Sequence, residues 1–178
     1  MSTPEQPTRR RFLQIASTAS AAGAMTGIPS LFVSNQAAAE EVLGTENFAT
    51  LTKIARDIFP HDRFEDALYA KAVAIYGDQV KQDAALGKLL IDGCAAVNAA
   101  ASKQSGKSYL QLSDEKARLA ILTAMQTTPF FLKIRGDLVV SLYNQPAVWG
   151  KLGYQGPSAD LGGYINRGFN DQNWMDQA

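Results

Sequence analysis

The sequence has very few of the side chains that hold metals or redox centres. Its 178 residues include one cysteine, Cys94, and one histidine, His61. A structural or catalytic zinc ion needs three or four Cys, His or carboxylate ligands, and covalent haem attachment needs a Cys-x-x-Cys-His motif. Iron–sulfur clusters need several thiolates. We therefore predict that this chain has no catalytic residue, no metal site and no cofactor of its own.

The sequence also lacks an excess of charge of either sign. It has 17 basic and 17 acidic residues, so its formal net charge is zero. Nucleic acids and anionic membrane surfaces attract proteins through concentrated positive charge. We therefore expect neither of these as a partner.

Short motifs for catalysis are incomplete. Gly106-Lys107-Ser108 is similar to the end of a phosphate-binding loop, but Ala101 occupies the position of the first required glycine. A serine triad would need His61, and the sequence has no Gly-x-Ser-x-Gly turn.

His61 beside Asp62 leaves one enzymatic alternative, in which the imidazole is a general base that the carboxylate orients. The favoured interpretation is a polar loop between helices. We interpret Asp57, Asp62 and Asp66 as solvated charges near helix ends rather than as a catalytic pair.

The N-terminus has the parts of a signal peptide in their usual order. Arg9 and Arg10 are followed by Phe12 and Leu13, the pattern of a twin-arginine signal. The region 15–33 is rich in Ala, Ser and Gly, so it is too polar and too interrupted for a stable membrane span.

A cleavage site is expected where small residues end this leader. Ala37 and Ala39 have the spacing that signal peptidases favour, and we place the cut after Ala39. This divides the chain into a twin-arginine signal peptide, residues 1–39, and a single helical domain, residues 40–178.

Hydrophobic periodicity in this domain predicts an all-α fold, a compact bundle of about five helices without strands. Thr45 is the expected N-cap of the first helix and Pro60 ends it, Gly77 ends the second, and Ser113 caps the fourth. The first predicted helix thus lies between Thr45 and Pro60. The others cover 65–76, a long stretch whose apolar stripe runs from Leu86 to Ala100, a stretch after 113, and 128–143.

The C-terminal region from Trp149 differs in composition. Its glycines interrupt any helix, and aromatic residues lie between them. We expect an irregular segment that is ordered by aromatic packing, either on the core of this domain or on another protein.

Cys94 lies among apolar residues at helical spacing, which favours a buried core thiol. An unpaired cysteine in an exported protein can also form a disulfide with another chain, so an inter-subunit bridge is the alternative.

The export signal and the missing cofactor together indicate a partner. The twin-arginine route carries folded proteins, commonly ones that bind a cofactor before export. Because this chain has no apparent cofactor, the signal is best explained if it serves a complex whose other subunit has the cofactor but no leader.

Two sequence regions support this interpretation. The stretch 51–62 and the glycine-rich stretch 153–171, followed by Trp174, resemble the opening helix and the C-terminal signature of the gluconate 2-dehydrogenase subunit 3 family. The resemblance extends over residues 47–174 and is most specific at the glycine-rich end.

This resemblance implies a non-catalytic small subunit of a periplasmic, membrane-associated dehydrogenase that oxidises sugars, sugar acids or polyols. It implies a large subunit with FAD in a glucose–methanol–choline type fold, a cytochrome subunit with haem c, and passage through the twin-arginine translocase. The alternative is a free-standing periplasmic helical binding or scaffold protein. The aromatic and basic residues that we expect at a partner interface are Tyr154, Tyr164, Arg167, Phe169 and Trp174.

Overall fold

A computed structural model describes residues 27–163 and residue 165, and within this part of the chain every regular element is a helix. The predicted all-α fold is therefore confirmed. The α-helices are α1 Gly27–Leu43, α2 Thr45–Ile58, α3 Asp66–Val73, α4 Tyr76–Gln82, α5 Ala84–Ser105, α6 Glu115–Ala124, α7 Pro129–Ser141 and α8 Pro146–Leu152. Two 3-10 helices cover Tyr109–Gln111 and Ser158–Leu161.

One compact unit of the chain begins at Asn35, so it includes the second half of α1. Helix α5 lies at its centre and packs against α2, α4, α6 and α7. Leu90, Cys94 and Val97 on its inner face are completely buried. Helix α5 is also the one described helix that is long and apolar enough, by length and composition, to cross a membrane. Its buried face accounts for this apolar character, because it supplies the middle of the core.

Local sequence signals set the ends of the long helices. The Asp83 side chain accepts hydrogen bonds from the backbone N–H groups of Ala85 and Leu86 at the start of α5. Gly106 ends the same helix with a φ of 70°, which a glycine adopts without strain. Thr128 caps α7 and Pro129 is its first residue, as the sequence predicts.

Two predicted caps are wrong by one residue. Gly44, with a φ of 84°, is the N-cap of α2, and Thr45 is the first helical residue. Asp114 rather than Ser113 caps α6 by accepting a hydrogen bond from the N–H of Lys116. Both errors arise where neighbouring polar or flexible residues can each occupy the cap, which periodicity does not decide.

The sequence predicted that Gly77 ends a helix. This prediction is wrong, because Gly77 lies inside α4. A Cβ atom built at Gly77 would lie 2.7 Å from the backbone nitrogen of Ala39. The glycine is therefore explained by the close approach of α1, a contact between distant parts of the chain. The irregular C-terminal region also begins later than predicted, because Trp149 and Gly150 lie in α8.

Candidate partner interface

His61 lies in the loop after α2, and its side chain contacts Tyr143, which follows α7. Its Nε2 atom lies 2.7 Å from the Tyr143 hydroxyl oxygen, and its ring packs on Phe64 with 4.3 Å between ring centroids. Asp62 is exposed, and among the described residues the hydrogen bond of the His61 ring is to Tyr143 rather than to Asp62. This geometry does not form the His–Asp pair that the enzymatic alternative requires.

Asp57 is the centre of a buried polar cluster. Arg118 donates hydrogen bonds of 2.8 and 2.9 Å to its two carboxylate oxygens, and the Tyr109 hydroxyl donates one of 2.7 Å. The side chains of Arg118 and Asp57 are 11% and 6% exposed. The interpretation of Asp57 as a solvated charge is therefore wrong, whereas Asp66 is exposed as expected.

This cluster joins α2 to the 3-10 helix and to α6, so its role is structural. Burial, together with the neighbouring Asp57 carboxylate, raises the pKa of the Tyr109 phenol well above its usual range. The phenol therefore remains a hydrogen-bond donor at neutral pH. Every polar atom of the Asp57 carboxylate that a catalytic role would need is already engaged by Arg118 or Tyr109.

Helix α7 is apolar on its outer side as well as on its inner side. Phe130, Ile134 and Leu138 are buried in the core. On the opposite side Leu132 is 52% exposed, Val139 is 55% exposed and Val140 is 63% exposed. We call the set Leu132, Gly136, Val139 and Val140 the outer α7 face.

Helical spacing brings these four residues onto one surface, because positions three and four apart along a helix are neighbours. A Cβ atom built at Gly136 would meet nothing within 4 Å, so the middle of the face is open. Contiguous exposed apolar surface of this kind marks sites where proteins meet other proteins. The outer α7 face is therefore the candidate partner interface in the described part of the chain.

The helix that carries this face is held firmly. Asp137 accepts a 2.9 Å hydrogen bond from the Tyr76 hydroxyl and forms a 3.0 Å ion pair with Lys133. Burial is the main cause of a raised pKa of the Tyr76 phenol, so this donor also keeps its proton. A rigid face loses little conformational entropy when a partner binds it.

The predicted interface residues at the C-terminus lie mostly beyond the described residues. Tyr154 is 48% exposed, and its ring packs edge-on against Trp149 with 5.5 Å between centroids. Trp149 in turn donates a 2.9 Å hydrogen bond to the backbone oxygen of Tyr143. The residues of the partner-interface prediction outside the described part of the chain are Tyr164, Arg167, Phe169 and Trp174.

Cys94 is completely buried, and its Sγ atom lies 3.8 Å from the backbone oxygen of Asn47. Burial raises the pKa of the thiol to about 12. These observations favour the buried thiol among the two interpretations, since a bridge to another chain would require α5 to leave the core. Among the described residues, no group of three or more His, Cys, Asp or Glu residues could hold a metal ion.

The proposed export signal lies outside the described residues and keeps the status of a prediction; its residues are Arg9, Arg10, Phe12 and Leu13. The two residues of the predicted cleavage site are described, and both lie within α1. Ala37 is exposed, whereas Ala39 is completely buried.

Sequence reasoning missed the outer α7 face. Periodicity picks out the residues of α7 that fill the core, and the exposed apolar residues of the same helix fall outside that pattern. The signal was present, because α7 has large apolar residues at positions that cannot all face one side.

Comparison with known proteins supports the resemblance noted in the sequence. The sequence model of the family described as gluconate 2-dehydrogenase subunit 3 matches residues 45–156, which include the stretch 51–62 but end before most of the glycine-rich stretch 153–171. No curated protein and no solved structure matches the chain. The matched range contains helices α2 to α8, including the Asp57 cluster and the outer α7 face.

Proposed function

The chain belongs to the gluconate 2-dehydrogenase subunit 3 family, and we propose that it is the non-catalytic small subunit of a periplasmic FAD-dependent dehydrogenase. The observation that carries this proposal is the family match over residues 45–156. The family is one of dehydrogenase subunits, so membership implies a dehydrogenase complex as partner in general terms.

The large subunit supplies the chemistry in this proposal. It is a flavoprotein of the glucose–methanol–choline type that oxidises a sugar, sugar acid or polyol, and a cytochrome subunit with haem c accepts its electrons. The small subunit stabilises the folded flavoprotein and is held at the membrane through the complex. The distribution of polar groups on this chain is consistent with that division, because its most buried carboxylate and its histidine are engaged in structural hydrogen bonds.

The outer α7 face is the surface by which the small subunit docks on the flavoprotein. Its most exposed residues, Val139 and Val140, lose contact with water on binding, which provides a hydrophobic driving force. Exposed Arg135 beside them can form a polar contact at the edge of the interface. Interfaces commonly combine an apolar centre with such a polar rim.

The small subunit also provides the export signal for the complex. Its Arg9 and Arg10 engage the twin-arginine translocase, and the flavoprotein crosses the membrane as a passenger. This role requires that the two chains bind each other before export. The docking surface must therefore be formed in the cytoplasm, where the small subunit is already folded.

Replacement of Arg9 and Arg10 by lysine in the full chain tests this role in cells that produce both subunits. With the double lysine variant we expect the flavoprotein to accumulate in the cytoplasm. With the unaltered small subunit we expect it in the periplasm. The matched control replaces Arg11 alone by lysine, which keeps the arginine pair. A flavoprotein that reaches the periplasm equally well with all three chains would overturn the escort role and favour a free-standing scaffold protein.

A further inference from the structure

The second half of α1 is built into the folded domain. One compact unit of the chain begins at Asn35, upstream of the predicted cleavage site. Ala39 is completely buried and Leu43, four residues later on the same side of the helix, is 3% exposed. Val42 is partly buried and packs against the core. This stretch therefore has the burial pattern of a core helix, which a removable leader does not need.

The contact between α1 and α4 depends on the backbone of Ala39. The ideal Cβ position at Gly77 lies 2.7 Å from the Ala39 nitrogen and 3.1 Å from the carbonyl carbon of Ala38. Because those atoms belong to the backbone, they cannot move aside as a flexible side chain would. A glycine at this position allows the two helices to approach each other closely.

The bond between Ala39 and Glu40 lies inside this helix and not in a loop. The Gln36 side chain donates a 2.9 Å hydrogen bond to the Glu40 carboxylate across the bond. The backbone N–H of Gly44 donates to the Glu40 carbonyl oxygen at 2.9 Å. Proteases cleave exposed segments that can adopt an extended conformation, so access to this bond requires α1 to unfold from the core.

We propose that the exported subunit begins before Asn35 and keeps α1 from that residue onward, so the Ala39–Glu40 bond is not its processing site. A cut at that bond would leave Glu40–Leu43 as a remnant that is too short to remain helical by itself. It would also uncover the surface around Gly77. This inference rests on the export role proposed above, because a twin-arginine substrate is already folded when it meets the signal peptidase.

The direct test is the intact mass of the subunit purified from the periplasm, with identification of its N-terminal peptide. We expect an N-terminus upstream of Asn35 and peptides that span the Ala39–Glu40 bond. An N-terminus at Glu40 would overturn the proposal. This readout is separate from the escort role, whose failure appears as a flavoprotein that is exported without the small subunit.

A second test examines the packing of α1 in the full chain, independently of export. Gly77→Ala should lower the melting temperature by several degrees, because the new methyl group overlaps the Ala39 backbone. Gly136→Ala is the matched control, since a methyl group there meets open space, and its melting temperature should stay equal or rise. Equal shifts in the two variants would show that Ala39 does not pack on Gly77 and would overturn the proposal.

Discussion

Arg118 donates two hydrogen bonds to the Asp57 carboxylate, from Nε to Oδ2 at 2.8 Å and from Nη2 to Oδ1 at 2.9 Å. Both side chains are largely buried, and the Tyr109 hydroxyl donates to the same carboxylate. Removal of one member of a buried ion pair strongly destabilises the folded protein, because the other charge remains buried without its partner. The pair therefore fixes α6 to α2 beneath the surface of the domain.

Asp57→Ala should reduce the free energy of unfolding by about 3–5 kcal/mol, since Arg118 is left buried without its carboxylate. Chemical denaturation monitored by circular dichroism measures the change. The matched control, Lys88→Ala, removes an ion pair of 2.6 Å between side chains that are 76% and 61% exposed. Such an exposed pair contributes only about 0.5 kcal/mol. Similar losses in the two variants would contradict a structural role for the Asp57 cluster.

Gly93 provides the space in which the Phe130 ring packs on α5. A Cβ atom at Gly93 would overlap the ring, so Gly93→Ala should destabilise the protein by about 1–3 kcal/mol through overpacking. The double variant Gly93→Ala with Phe130→Leu should lose less stability than the sum of the losses in the two single variants. The smaller side chain at position 130 removes the overlap. Strictly additive losses in thermal unfolding would argue against the contact.

The Cys94 thiol gives the protein a dependence on alkaline pH. Burial raises its pKa from 9.0 to about 12, so the folded state binds the thiol proton more tightly than the unfolded state does. The stabilisation that this provides is fully present below pH 9 and is lost progressively as the pH rises towards 12. Cys94→Ala should show a weaker decline of stability over this range. Buried tyrosines with raised pKa values, among them Tyr76 and Tyr109, should contribute to the decline that remains.

Thiol labelling distinguishes the two interpretations of Cys94. The buried thiol should react slowly with Ellman's reagent in the native protein and rapidly after denaturation without a reductant. If Cys94 is instead bridged to another chain, the denatured complex will release no thiol until a reductant is added.

The outer α7 face should be needed for partner binding and not for folding. Val140→Glu places a charge on the most exposed of the large apolar side chains of that face. In the complex this charge would be desolvated without a partner charge. We expect at least a tenfold loss of affinity for the flavoprotein, with the melting temperature of the small subunit changed by less than about 2 °C.

Ile91→Glu is the matched control for this variant, because Ile91 is an exposed apolar residue on α5, outside the outer α7 face. It should bind the flavoprotein with unchanged affinity. Equal affinities of the two variants would show that the interface lies elsewhere than on α7. The C-terminal residues Tyr154 and Trp174 would then be the next to truncate.

Much of the fold follows from the sequence because helical periodicity and caps are local. The end of α2 before Pro60, the cap of α7 at Thr128 and the buried position of Cys94 depend on residues close together in the chain. Long-range contacts account for the failures. The sequence around Gly77 predicts a helix end, whereas the fold shows that the glycine makes room for the backbone of Ala39.

The buried state of Asp57 has the same origin. Its partners, Tyr109 and Arg118, are 52 and 61 residues away along the chain. A sequence pattern near position 57 contains no sign of either. The partner interface is harder still, because its identity depends on a second polypeptide. Periodicity shows that α7 has apolar residues on more than one side, but it does not decide which side the core covers.

The absorption spectrum of the small subunit purified in two ways tests whether the redox centre belongs to a partner chain. Captured from cells that also produce the large subunit, it should bring a second polypeptide with bound flavin and sugar or polyol dehydrogenase activity. Purified alone, it should have neither flavin absorbance nor that activity. A lone subunit that holds a tightly bound prosthetic group, or that oxidises a sugar by itself, would show that the redox chemistry belongs to this chain and not to a partner.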